Sequence, residues 1–403
     1  MPTIARVTQA QTTTSTRKRF GFVALAYAFV AVMMGTTLPT PIYALYADEM
    51  HFAVLTTTVI FATYAIGVLA ALLVFGPWSD AIGRRPMLLA GAAFALASAV
   101  VFLVADDVPL LLVGRLLSGL SAGIFTGTAT AAVIEAAPEG RRDLATAIAT
   151  VANIGGLGIG PVVAGLLVQY APSPLKLSFV VHIVLVVLAI GAVLLAPETA
   201  ERKGRIGFQR ISVPAEVRPV FLTAATAAFA GFAVTGLFTA VVPSFVKSII
   251  GIDNHAVAGA IAGSILLVSA AAQLVARRIP SRRAVAIGCA ILAVAMAILA
   301  MALHFSSLPL LLAAAVVAGV GQGISFSRGL AAVAEVAPAD QRAEVSSMYF
   351  VVAYVALSLP VIGEGFATQH LGLRAAGVTF AVAAAVLSAI CLVAIVLQER
   401  RAG

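Results

Sequence analysis

The chain has 403 residues, enough for two or three soluble domains, yet 61% of them are apolar and only 10% are charged. Soluble domains carry roughly 25% charged residues, and with a mean hydropathy of +1.07 most of this apolar surface must face lipid rather than a water-soluble core. The net charge of +8, from 25 basic and 17 acidic residues, raises a nucleic-acid partner, while Cys289 and Cys391, both inside apolar runs, exclude a disulfide scaffold or a cysteine zinc site.

A spanning helix needs about 20 mostly apolar residues. Twelve such runs follow in order: 20–46, 54–75, 86–104, 108–135, 145–170, 177–196, 219–247, 256–276, 284–304, 308–336, 345–367 and 373–397. Arg17-Lys18-Arg19 ahead of the first run has the look of a secretory signal. The run continues to about Ala47, past the 7–15 residues of a signal's apolar region, so it reads as a retained span. The expected organisation is a tail at 1–19, a six-helix bundle at 20–196, a linker at 197–218, a second bundle at 219–397 and a tail at 398–403. Glu198, Glu201, Arg202, Lys203, Arg205, Arg210, Glu216 and Arg218 mark the linker.

The charges then fix an orientation. With a cytoplasmic N-terminus, 20 basic residues fall in inside segments, among them Arg6, Arg17, Lys18, Arg84, Arg85, Arg141, Arg142, Arg277, Arg278, Arg342, Arg400 and Arg401. Only Lys176, Lys247 and Arg374 fall outside, and Arg115 and Arg328 lie within helices. That bias obeys the positive-inside rule and places both termini in the cytoplasm. It leaves no basic face for nucleic acid. The basic residues are 21 Arg and 4 Lys, which together with the Ala-rich runs points to a GC-rich bacterial genome.

Residues 119–142 and 319–342 align without a gap. Gly119/Gly319, Gly123/Gly323, Ile124/Ile324, Glu135/Glu335, Pro138/Pro338 and Arg142/Arg342 are among the identical pairs. Alanine bias does not account for the matched Glu, Pro and Arg, so the halves are duplicated. Two parallel six-helix halves joined by a cytoplasmic linker form the architecture of an alternating-access transporter, with its site between the halves near the midplane.

Local motifs agree. Gly76-Pro-Trp-Ser-Asp80-Ala-Ile-Gly83-Arg84-Arg85 resembles the G-x-x-x-D-R-x-G-R-R/K signature of the major facilitator superfamily, with Ala81 in place of the first basic residue. The resemblance covers nearly the whole chain. It implies an all-α membrane protein of twelve transmembrane helices in two pseudo-symmetric six-helix bundles. Physically, the glycines permit a tight turn and close helix approach. Asp80 can accept from helix N-terminal amides or an arginine on the facing half, and Arg84 or Arg85 can pair with Glu135. Arg142, Glu335 and Arg342 complete the expected cytoplasmic latch.

On the fourth helix Arg115-Leu-Leu-Ser-Gly119 resembles the superfamily's R-x-x-x-G motif, which implies a role in proton coupling. Within a span an arginine is costly and faces a partner or a wet cavity unless it snorkels. On the fifth helix Gly156-Leu-Gly-Ile-Gly160-Pro161-Val-Val-Ala164-Gly165 resembles the G-x-x-x-G-P-x-x-G-G motif of the drug:proton antiporter branch, with Ala164 for one glycine. Without a following Lys-Ser/Thr it is no nucleotide loop. Pro161 frees a carbonyl and kinks the helix.

In helices one, four, seven and ten, which the resemblance places around the cavity, Thr36, Thr40, Ser118, Thr235 and Gln322 are the polar candidates, with Thr37, Thr126 and Thr239 beside them. Phe232 and Phe326 supply aromatic surface, and Arg328 is a substrate or coupling candidate. Glu364, the only carboxylate clearly inside a span, and Asp48, which closes the first helix, are with Arg115 the proton-coupling candidates, and His182 reads as a packing histidine. Two intramembrane arginines without a midplane acid favour neutral or anionic substrates over dications.

The sequence therefore leads us to expect a secondary transporter of the cell membrane, a monomer with a small-molecule substrate, protons and the lipid bilayer as its partners. The expected activity is proton-coupled efflux of an amphiphilic drug or metabolite. Proton-coupled uptake of an organic anion or sugar and a non-transporting sensor are the alternatives. Neither a metal nor a cofactor is expected, the proton gradient being the energy source. The sequence has no catalytic cluster with which to expect an enzyme.

Overall fold

The computed structural model describes residues 2–202 and 206–402, with side chains described within 19–202 and 206–397. Lys203 and Arg205, and the side chains of Arg6, Arg17, Lys18, Arg400 and Arg401, lie outside the described residues. Among the described residues the chain is all helical. Twelve helical segments are long and apolar enough to cross a membrane: α1 Arg19–Met50, α2 Val54–Phe75, α3 Arg84–Val104, α4 Val108–Glu135, α5 Arg142–Tyr170, α6 Leu177–Leu195, α7 Arg218–Ala240, α8 His255–Ala276, α9 Ser281–His304, α10 Leu308–Val336, α11 Arg342–Leu371 and α12 Leu373–Leu397.

Burial separates the helices into central and peripheral sets. The apolar windows of α1 and α7 are 67% buried, whereas those of α6 and α12 are 33% and 28% buried. Residues such as Val187, Leu188, Ile390 and Val393 stand exposed on the outer helices, a surface suited to lipid and to nothing aqueous. The packing repeats between halves. In the first half α1 lies on α5 and α4, and α3 on α4 and α6. In the second, α7 lies on α11 and α10, and α9 on α10 and α12. Two helix pairs, α2 with α11 and α5 with α8, join the halves.

Both lead helices break at the same relative depth. Pro39 and Pro41 remove the amides that would bond the Gly35 and Thr37 carbonyls, so α1 stops being regular at Thr37, turns through a 3-10 segment at Thr40–Ile42 and resumes at Tyr43. The run expected at 219–247 is likewise split after Ala240, and a short helix Val242–Ser248 follows with Pro243 in its first turn. Apolar periodicity continues across both breaks, which is why each run reads as one element in sequence.

Candidate functional site

The loop between α2 and α3 shows its purpose in its contacts. A five-residue helix, Trp78–Ile82, ends on Gly83, whose φ of +121° suits glycine; a Cβ there would lie 2.6 Å from Glu198 Oε2. Arg84 then reaches three ways. Its Nη1 meets Asp80 at 2.7 Å and donates to Ser79 Oγ at 2.7 Å, and its Nε and Nη2 fork onto Glu135 at 3.2 and 2.9 Å. The sequence pairing of Arg84 with Glu135 is thus present. Asp80 is corrected: it accepts from Arg84 in its own loop rather than from the facing half, because four residues along a turn bring the two together. Of the two arginines offered for Glu135 it is Arg84 that pairs, while Arg85 donates to the Leu194 carbonyl at the end of α6, a favourable place for a cation.

Sequence reasoning missed the group that completes this cluster. Glu198, directly after α6, accepts from the Arg84 and Arg85 amides at 2.8 and 3.1 Å, capping the start of α3. Burial pushes its pKa up, but the amides of Ala200, Arg84, Arg85 and Thr199 outweigh that and hold the carboxyl below the usual range. Its contribution is therefore present near neutral pH and lost as pH falls through the lowered value. Thr199 Oγ1 adds a 2.7 Å bond to Glu135. The linker is fastened further by Trp78 Nε1 to the Gly207 carbonyl and by the Gln209 amide to the Leu73 carbonyl near Gly76.

The second half builds its version differently. Glu335 accepts from Ser281 Oγ at 3.1 Å and lies 3.9 Å from Arg328, whose Nη2 donates to Ser281 at 2.5 Å. Arg328 thus approaches Glu335 from α10 itself, whereas Arg84 reaches Glu135 from the start of α3, and it is drawn toward the start of α9. Its assignment to the substrate cavity is corrected: Gly321, Ser325 and Arg328 lie on the face of α10 that meets α9. Arg142 is exposed and outside both clusters, and Arg342 Nε closes its own loop on the Ala337 carbonyl at 3.3 Å. Across the halves at this linker end, Arg277, just past the end of α8, donates to Thr150 Oγ1 of α5 at 3.2 Å.

The opposite end of the bundle is held across the halves. Lys247 Nζ pairs with Asp48 at 2.5 Å, and that hydrogen bond raises the ammonium above its ordinary value. The His255 amide donates to Gln169 at 2.9 Å, and its ring approaches the Pro41 carbonyl at 3.3 Å. Asp48, a coupling candidate in the sequence, is thus engaged with Lys247 of the other half.

Arg115 is 2% exposed and does not snorkel. Its Nη1 donates to the Thr36 carbonyl at 2.5 Å, in the last turn before the α1 break, and Nη2 to the Phe61 carbonyl at 3.4 Å. The guanidinium lies 4.7 Å from the Tyr64 ring centre and 5.5 Å from that of Phe61. Carbonyls and ring faces, with no carboxylate, compensate this charge. From Tyr64 an aromatic series crosses to the other half: Tyr64 to Tyr354 at 6.3 Å, Tyr354 to Phe232 at 6.5 Å, Phe232 to Phe326 at 4.8 Å and Phe326 to Tyr349 at 5.6 Å. Phe232 and Phe326, the aromatic candidates, pack on each other, and sequence reasoning missed the tyrosines on either side of them, because partners on different helices leave no local signal.

The polar candidates are less available than their spacing implies. Thr36 and Thr235 bond back to the carbonyls of Met33 and Gly231, and Gln322 accepts from Ser269 of α8 at 2.5 Å. Thr40 and Ser118 are buried, and Thr126 Oγ1 is buried without a partner. Both intramembrane arginines are engaged within the protein, Arg115 on the Thr36 and Phe61 carbonyls and Arg328 on Ser281.

The α5 motif divides its small residues between two neighbours. Gly156 and Gly160 lie against α1, at Met33 and Met34, whereas Gly158 and Gly165 lie against α8 of the other half, at Leu267 and Gly259. Pro161 cannot bond the Leu157 carbonyl, and Thr37 Oγ1 of α1 donates to it at 2.5 Å. A π-turn, Val151–Gly155, precedes the motif, a second local departure from regular helix of the kind found at functional positions. Thr37→Val is expected to cost about 1–3 kcal/mol by orphaning that carbonyl. In a Pro161→Ala background, where the alanine amide can take over the bond, the cost should shrink toward zero. Thermal unfolding of the two variants and the double variant checks this.

Comparison with known proteins follows the same lines. The family model described as Major Facilitator Superfamily matches residues 25–359 and 274–403. Multidrug resistance protein 1 of Bacillus subtilis (strain 168) is 28% identical over 196 residues, 47% of this chain and 50% of that protein. Multidrug resistance protein MdtM of Salmonella typhimurium (strain LT2) is 32% identical over 168 residues, 40% of each chain. The chain thus spans half or less of the length of these curated relatives. Among solved structures, a bacterial homolog of the human lysosomal transporter Spinster, inward-facing and unoccupied, superposes with a TM-score of 0.72 at 14% identity, covering 94% of this chain and 97% of that one. The human organic anion transporter MFSD10 gives 0.64 at 16% identity, covering 94% and 99%.

Proposed function

The chain belongs to the Major Facilitator Superfamily, and on that footing we propose that it is a proton-coupled exporter of small amphiphilic compounds, working by alternating access. The observation that carries the reading is the α5 segment: its glycines and Pro161 seat one helix on α1 of its own half and on α8 of the other. A helix shared in this way lets a rearrangement of α1 be felt by the opposite half. Contacts across the halves at both ends, Asp48 with Lys247 and Arg277 with Thr150, supply the two gates that such a cycle breaks in turn. The multidrug resistance proteins among its relatives support the choice of cargo.

In this reading the bundles 20–196 and 219–397 rock against each other, the Arg84 and Arg328 clusters stiffen the cytoplasmic ends, and Arg115 sets the electrostatics of the α1 break. The protein works as a monomer in a bacterial cell membrane with both termini in the cytoplasm, and the proton gradient drives it. Everted vesicles carrying an imposed pH gradient test the proposal. Adding a substrate should move protons in the direction opposite to the substrate; movement in the same direction would make the protein an uptake system, and no movement would remove coupling.

A further inference from the structure

Glu364 lies in α11, 3% exposed, with Oε1 buried and without a hydrogen-bond partner. It borders a groove of about 290 Å³ between α7, α11 and α12, whose wall includes Phe229, Ala233, Pro360, Thr379 and Phe380. No other charged residue lines that groove. The flanking charges are committed elsewhere or remote: Arg374 at the start of α12 donates to the His304 carbonyl and Ser306 Oγ, and Arg218 bonds the Val213 carbonyl at the linker end. Since α12 is the least buried helix, the groove lies on the lipid-facing flank of the second half, apart from the aromatic series between the halves.

A carboxyl at lipid depth needs a proton or a cation beside it, and no side chain supplies the cation here. We propose that this groove is a lateral binding site for a lipophilic monoamine, with its ammonium on the Glu364 carboxylate and its apolar body against Phe229 and Phe380. Binding is an exchange: the protonated carboxyl and the ammonium give the carboxylate–ammonium pair and one released proton. The small volume favours a single ring or short chain. A phospholipid headgroup is excluded by its phosphate, for which the lining offers no basic group. That such an amine is also exported rests on the reading above; its binding at Glu364 does not.

The test uses the full chain in phosphatidylcholine nanodiscs, with radiolabelled 6-phenylhexylamine and its neutral counterpart 6-phenylhexanol as probes. Glu364→Gln should weaken the amine at least tenfold and leave the alcohol unchanged, which also reports an intact fold. Ala383→Phe, which fills the groove, should weaken both probes. In weak buffer the wild-type protein should release protons on binding the amine, and Glu364→Gln should release none. Equal amine affinity in wild type and Glu364→Gln overturns the site, as does competition by phosphatidylethanolamine in the nanodisc. Binding that follows the expected pattern without amine flux in vesicles would count against the exporter reading and leave the site standing.

Discussion

Gly259→Leu is expected to lower transport at least tenfold while leaving membrane insertion intact. A Cβ at Gly259 would run into the Pro161 carbonyl and come within 3.2 Å of the Gly165 Cα, both on the opposite half. Neither neighbour is a flexible side-chain tip, so the backbones themselves must part. Overpacking of this kind costs about 1–3 kcal/mol, and the cost falls on whichever conformation brings α5 and α8 together at this level. The contact lies near the end of the bundle where Asp48 meets Lys247 and His255 meets Pro41. The wedge should therefore disfavour closure of that end, and about 2.7 kcal/mol shifts a two-state population a hundredfold. A cysteine placed at Ala44, which faces Pro243 and Val246 of the other half, should react faster with an impermeant maleimide in Gly259→Leu than in the wild-type background. Unchanged labelling together with unchanged flux would show that α5 and α8 do not have to approach here.

That interface also shows how far sequence carries. The twelve spans and their order were legible because lipid imposes one rule on every residue of a span. Pairing within the Arg84 cluster was legible in part, because Arg84 and Glu135 belong to a short motif and a repeated helix end. Glu198 was not: it sits in a charged linker whose residues all served as a topology count, and only the folded chain shows that one of them caps α3. Arg328 misled for a related reason. Depth along a helix can be counted in sequence, but the face it occupies cannot be read from a helix that is apolar all round. The neighbours Gly288 and Ser281 decide that Arg328 looks to α9. Threonines in α1 and α7 suffer the same ambiguity, since a hydroxyl that bonds its own helix leaves no trace in the pattern. The aromatic series from Tyr64 to Tyr349 joins residues from four helices, and no local signal links them.

Arg115→Ala is expected to abolish gradient-driven transport and to lower stability together. The buried guanidinium bridges the α1 break to α2, donating to the Thr36 and Phe61 carbonyls and lying over Tyr64. Removal leaves a cavity, two carbonyls that lose a charge-assisted donor and an unsupported end of the regular part of α1, a combined loss of about 3–5 kcal/mol. Arg115→Lys separates the two effects. An ammonium keeps the charge but has no planar fork to reach two carbonyls on different helices or to lie flat on a ring. If charge alone sets the coupling, lysine should restore gradient-dependent flux to near the wild-type level with only part of the stability recovered. If the bridge between α1 and α2 carries it, flux should remain at least tenfold down although part of the stability recovers. Proton-linked flux measured beside thermal unfolding for the three proteins distinguishes these outcomes, and gradient-driven transport retained in Arg115→Ala would remove Arg115 from the mechanism. The geometry favours the bridge: the residue touches the one stretch of α1 where Pro39 and Pro41 have already interrupted the helix, so the position of that stretch, rather than the charge as such, is what Arg115 holds.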